Sequence, residues 1–112
     1  MSDIDTLVEQ MEKANDSAYD NAMKYAEARS QFEYLDEMRK TVLAELCRAN
    51  VDQPVNHREI FARSSEQYKT HLGAIRESRL EMLIAEAKMH RFNNEFEMYR
   101  SKLSAIKTVT RF

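Results

Sequence analysis

Tryptophan is absent from this chain, and glycine, proline and cysteine each occur once in 112 residues. A β-sandwich or a βαβ enzyme needs a turn every dozen or so residues, built largely on glycine and proline, so the composition disfavours both. Rossmann and P-loop motifs need several glycines in one short loop. Gly73 stands alone, which excludes nucleotide binding of those kinds. The single cysteine, Cys47, has no partner for an intramolecular disulfide, and no apolar run approaches the roughly 20 residues of a membrane span. The opening Met1-Ser2-Asp3-Ile4-Asp5 is acidic where an export signal is basic and then apolar. The expectation is a single domain over residues 1–112 in the cytoplasm, with no membrane contact.

What the chain does hold is a seven-residue hydrophobic period. Counting in sevens from Ile4 gives Ile4, Met11, Ala18, Tyr25, Phe32, Arg39 and Leu46; counting from Leu7 gives Leu7, Ala14, Asn21, Ala28, Leu35, Val42 and Ala49. Only Asn21 and Arg39 are polar. An interleaved 4-3 spacing over seven heptads keeps one helix stripe facing one partner, because 3.5 residues per supercoiled turn stop the seam from drifting. The spacing predicts a helix over 3–50, capped by Ser2 with Asp5 completing a capping box, and stopping near Asn50, a residue that tolerates the left-handed conformation. A turn over 51–56 contains Pro54. Asn56 is the expected N-cap of a second helix over 57–108, with Glu59 three residues on.

The second helix repeats the pattern. One series is Phe61, Tyr68, Ile75, Met82, Met89, Phe96 and Leu103; its companion is Ser64, His71, Ser78, Ala85, Phe92, Tyr99 and Ile106, polar at first and apolar later. Folding the chain back about the linker pairs residues whose numbers sum to about 107, so Leu46 meets Phe61, Phe32 meets Ile75, Met11 meets Phe96 and Ile4 meets Leu103. Charge favours the same arrangement. Residues 1–37 hold ten acidic and three basic side chains, and residues 88–112 hold two acidic and six basic. The predicted fold class is all-α: a long antiparallel helical hairpin, a coiled coil.

Some apolar residues fall outside this seam. Leu80, Leu83, Ile84 and Ala87 lie at helical spacing off the Met82 and Met89 line, while Met38, Leu43 and Cys47 flank the first stripe. Contiguous exposed apolar surface marks interfaces, so a homodimer of hairpins forming a four-helix bundle is expected through Leu80, Leu83, Ile84 and Ala87. Asn21 and Arg39 would set register, the usual role of isolated polar groups in a seam. The weakly apolar start of the companion series makes 62–78 the expected malleable stretch, with Arg63, Lys69 and Arg76 available to a protein partner.

Little in the sequence points to catalysis. Glu86 and His90 stand at i, i+4, but the Glu-x-x-His repeats of a di-iron bundle are missing. Glu33, Asp36 and Glu37 read as a solvated acidic face, and Cys47 as a half-buried inert thiol. No cofactor is expected. Nucleic-acid binding is the alternative: Lys88, Arg91, Arg100, Lys102, Lys107 and Arg111 interleave with Phe92, Phe96, Tyr99 and Phe112, and single strands are held by cations on phosphate and aromatics on bases. Against it, Phe92, Phe96 and Tyr99 fall on the seam, and the sequence pI is about 5.9.

The stretch from Ser65 to Lys107, SEQYKTHLGAIRESRLEMLIAEAKMHRFNNEFEMYRSKLSAIK, resembles the C-terminal part of small helical proteins encoded by tailed bacteriophages, often among early or recombination genes. The resemblance covers under half of the chain and rests on Glu66, Tyr68, Phe96, Arg100, Ser101, Ser104 and Lys107. It implies a phage accessory protein in the host cytoplasm, acting without catalysis on host-defence or nucleic-acid machinery through contacts with a protein partner.

Overall fold

The computed structural model describes residues 2–110. Among these, 93% are helical and none forms a strand. There are three helices: α1 (Asp3–Ala49), α2 (Val55–Arg63) and α3 (Glu66–Thr110). The all-α helical hairpin is the observed fold class.

The chain divides into two compact units, one comprising the segments up to Ala26 and from Leu83 onward, the other running from Glu27 to Met82. In the first, Ile4, Leu7, Met11, Ala14, Ala18 and Asn21 are the inward positions of α1, and Ala85, Met89, Phe92, Phe96, Tyr99, Leu103 and Ile106 are those of α3. Ala14, Ala18 and Asn21 are buried. Small residues on α1 meet large ones on α3: Ala14 and Ser17 share a groove with Phe92 and Tyr99, and Met11 shares one with Phe96 and Leu103. Met11 beside Phe96 and Ala14 beside Phe92 are the neighbours that a sum of about 107 predicts.

The second unit holds the turn. Here the antiparallel register is fixed by the His71 ring, whose Nε2 lies 2.9 Å from the carbonyl oxygen of Leu35. A carbonyl only accepts, so the bond places a proton on Nε2. The Arg79 guanidinium sits 5.6 Å above the centroid of the Phe32 ring.

At the start of α1 the expected Ser2 cap forms, without the return bond from Asp5 that would complete a capping box, and the end of the helix differs from expectation. Ser2 Oγ accepts from the Asp5 amide at 3.2 Å, capping the first turn. The helix closes at Ala49, and no residue adopts a positive φ among those described, so Asn50 is not a left-handed cap. Instead its Nδ2 donates to the Leu46 carbonyl at 2.7 Å, and its backbone carbonyl accepts from Gln53.

Asn56 is not an N-cap either. The helix begins two residues earlier, at Val55, with Pro54 in the cap position and no side-chain cap bond. The Pro54 carbonyl accepts from His57 and Arg58, and a proline before the first turn forfeits nothing, because the amide it lacks would find no intrahelical partner there. Glu59 points its carboxylate at Arg63 rather than back to Asn56.

The second helix is interrupted. Ser64 and Ser65 separate α2 from α3, replacing the continuous helix expected over 57–108. Each serine satisfies a local backbone group: Ser64 Oγ donates to the Ile60 carbonyl and Ser65 Oγ to the Ala62 carbonyl. Ser65 Oγ also accepts from the Tyr68 amide at 3.2 Å, which makes Ser65 the N-cap of α3. The interruption rephases α2, so that Phe61 and Ser64, both expected in the seam, are exposed, while Ala62 is fully buried. From Tyr68 onward the expected stripe resumes. Gly73 leaves α3 intact, and nothing lies within 4 Å of where a Cβ would stand, so no neighbour demands a glycine there.

Candidate interaction surfaces

The polar residues of the first stripe separate. Asn21 is buried, and its Nδ2 donates to the Ser17 carbonyl at 2.7 Å, satisfying one donor within α1. Arg39 is exposed, contrary to its expected seam seat, and Met38 takes the inward place. The reason is energetic: removing a guanidinium from water without a paired anion is costly, while a methionine one position away fills the same gap at a small rotation of the helix. Met38 is thereby absorbed into the seam, and Leu43 and Cys47 are half-buried. The apolar flank expected on α1 is therefore not an open patch.

On α3 the outward stripe is open. Leu80 is 59% exposed, Leu83 51% and Ile84 47%, and Ala87 is exposed as well. These four stand at i, i+3, i+4 and i+7, a single face of a helix.

The turn end of the second unit exposes a further set. Val51 is 67% exposed, Val55 77%, Ile60 63% and Phe61 46%. The backbone beneath them is fixed by Arg58, which donates from Nε to the Gln53 carbonyl at 3.0 Å and from Nη2 to the Val51 carbonyl at 3.1 Å. Heptad counting assigns Arg58 no role; the signal available in the sequence is an arginine four residues past a proline turn whose carbonyls lack helical partners. Arg63, Lys69 and Arg76 are exposed along α2 and α3. Arg63 Nη2 is 2.8 Å from Glu59 Oε1, and that hydrogen bond and charge raise the guanidinium above its ordinary value. Lys69 Nζ lies 3.8 Å from Glu66. Within the stretch 62–78, Ala62, Tyr68 and Ser78 are buried. The Ser78 hydroxyl is buried without a hydrogen-bond partner.

At the basic end of α3 the cations and the rings separate as the heptad count places them. Lys88, Arg91, Arg100, Lys102 and Lys107 are exposed, but Phe92, Phe96 and Tyr99 are half-buried at seam positions. Arg91 Nε stands 3.5 Å from Glu95 and Arg100 Nη1 3.3 Å from Glu97. Lys102 lies 5.9 Å from the Tyr99 ring centroid. Arg111 and Phe112 lie outside the described residues.

No group of three or more His, Cys, Asp or Glu side chains is placed to hold a metal among the described residues. His90 Nε2 is 3.7 Å from Glu86, an exposed i, i+4 pair, and Glu33 is bound to Arg29 at 2.9 Å. No helix among the described residues is long and apolar enough to cross a membrane. No family model, curated protein or solved structure matches this chain.

Proposed function

We propose that this chain is a non-catalytic interaction protein, a helical hairpin that docks a protein partner and associates with a second copy of itself. The observation that carries the reading is the exposure of Val51, Val55, Ile60 and Phe61 around a turn that Arg58 holds in place. Apolar side chains presented on an ordered backbone, with polar residues around them, mark protein-binding surfaces. Arg63 and Lys69, each beside a glutamate, and Arg76 are exposed along α2 and α3 and can exchange onto acidic groups of a partner. In keeping with the phage resemblance, the expected biological setting is an accessory protein in the host cytoplasm, acting on host-defence or nucleic-acid machinery.

The test is paired capture from host cells with the wild type, Ile60→Asp and Phe61→Asp. A protein retained by the wild type and lost with both variants, at unchanged helicity, supports the reading. Equal retention by all three contradicts it.

A second reading, direct nucleic-acid binding, is supported by the exposure of Lys88, Arg91, Arg100 and Lys102 along one helix. It is opposed by the seam positions of the rings and by the acidic first segment of α1. A gel shift with single-stranded and duplex DNA separates the two: retention near physiological salt with a steep salt slope favours this reading, and no shift favours the first.

A further inference from the structure

The side of α2 that carries Ile60 and Phe61 has two places to go. His57, Ile60, Phe61 and Ser64 stand at i, i+3, i+4 and i+7, one face of a helix, and all four are exposed. Arg58 and Ala62 hold the opposite face, half-buried and buried. In an unbroken helix the faces exchange. Phe61 lies seven residues, about two turns, before the buried Tyr68 and shares its inward direction, whereas Ala62, six residues before it, points about 120° away. The heptad count accordingly sets Phe61 opposite Leu46. That end of the seam is incompletely covered: Leu43, Leu46 and Cys47 are only half-buried although Ala62 is fully buried. Two latches hold the apolar face outward. Ser65 Oγ caps α3 by accepting from the Tyr68 amide, and Arg58 donates from the inward face of α2 to the Gln53 and Val51 carbonyls. Against them stand backbone bonds that the break forgoes. The Ser65 amide donates only three residues back, to Ala62, while an unbroken helix adds bonds from the amides of Glu66, Gln67 and Tyr68 to the carbonyls of Ala62, Arg63 and Ser64.

We propose that α2 is a two-position element that controls the docking surface. Turned out, as described above, it presents Ile60 and Phe61 to a partner; turned in and continuous with α3, its minor alternative, it seats them in the chain's own seam. This inference rests on the docking reading above and adds its regulation. The same apolar face serves both positions, so the hairpin and the partner compete for it. A partner that grips Ile60 and Phe61 binds the turned-out position alone, draws α2 outward, and loses apparent affinity in proportion to the fraction turned in.

The experiment is fluorine NMR of the full chain carrying fluorophenylalanine, with the Phe61 signal among the five phenylalanines identified by its loss in Phe61→Leu. Glu66→Pro locks the outward position: proline suits the first residue of α3, and the extended backbone it asks of Ser65 suits a cap, whereas in an unbroken helix it removes a backbone bond and clashes with the preceding turn. Its Phe61 signal is expected to be solvent-exposed, shifting between H2O and D2O. Ser65→Ala and Arg58→Ala each release a latch and are expected to raise the turned-in fraction about fivefold, moving the Phe61 signal, split or averaged, toward a solvent-shielded position without loss of helicity. Adding Glu66→Pro to Ser65→Ala is expected to return it. The two alanine variants decide alone if Glu66→Pro loses helicity. A Phe61 signal of unchanged position and solvent exposure in both alanine variants overturns the proposal. The docking reading falls by a different result: a Phe61 signal that moves as expected in a chain whose Ile60→Asp and Phe61→Asp variants capture the same host proteins as the wild type.

Discussion

In the unit formed by the two ends of the chain, the seam runs without interruption: small α1 residues, Ala14, Ala18 and Asn21, are buried, while Phe92, Phe96 and Tyr99 on α3 are only half-covered. In the unit from Glu27 to Met82 the same heptad count meets an arginine at Arg39, a two-serine interruption at Ser64–Ser65, and a histidine bonded to a helix carbonyl. Burial is deepest there at single points, Ala62 and Tyr68, rather than along a stripe. The difference shows what a hydrophobic period specifies. It sets the facing of an uninterrupted helix, and it yields wherever local hydrogen bonds offer the backbone another ending.

The sharpest way to break this contrast is truncation of one aromatic in each unit. Tyr68→Ala is expected to cost about 3 kcal/mol, because a nearly fully buried ring is removed, and Phe96→Ala about 2 kcal/mol, because part of that ring is already wet. Urea unfolding midpoints check the order. A larger loss at Phe96 would mean that the continuous seam, and not the point-packed unit, holds the deeper core.

Next in size is the cap. Ser65→Ala removes the acceptor for the Tyr68 amide and is expected to cost about 1 kcal/mol, whereas Ser64→Ala, whose hydroxyl only donates back to a carbonyl one turn earlier, should cost much less. Equal effects would show that Ser65 does not act as the start of α3.

Gly73→Ala should stabilise the chain by about 0.5–1 kcal/mol, since the site is exposed helix interior with open space around the added carbon. A loss there would reveal a contact on that face. The smallest effect belongs to Ser78→Ala. Its buried hydroxyl has no partner, so removing it is expected to be neutral or mildly stabilising, in contrast with the usual loss on deleting a satisfied polar group.

Much of the fold was legible in the sequence because the 4-3 spacing from Ile4 to Leu35 and again from Tyr68 to Ile106 has one structural solution, and opposite charge at the two ends agrees with it. The interruption at Ser64–Ser65 was hidden for a physical reason. Phe61 and Tyr68 are seven apart, so polarity counting passes through the break without noticing it, while the two hydroxyls change the phase of α2 and bring Ala62 inward in place of Phe61. Arg39 eluded the count because a half-residue drift of a real helix is enough to exchange it for Met38. Among the surface features, Leu80, Leu83, Ile84 and Ala87 could be read as surplus to the seam. The exposed turn end was missed, because its apolar residues become conspicuous only once Arg58 is seen to fix the turn.

Amide hydrogen exchange at residue resolution across α2 and the start of α3 tests the central structural claim most directly. A helix that begins at Glu66 leaves its first amides without intrahelical acceptors. Glu66 and Gln67 are therefore expected to exchange at rates near those of an unstructured chain, with protection returning by Leu72 to Ile75. Protection at Glu66 and Gln67 equal to that at Leu72 to Ile75 would contradict the interruption and restore a single helix over 57–108.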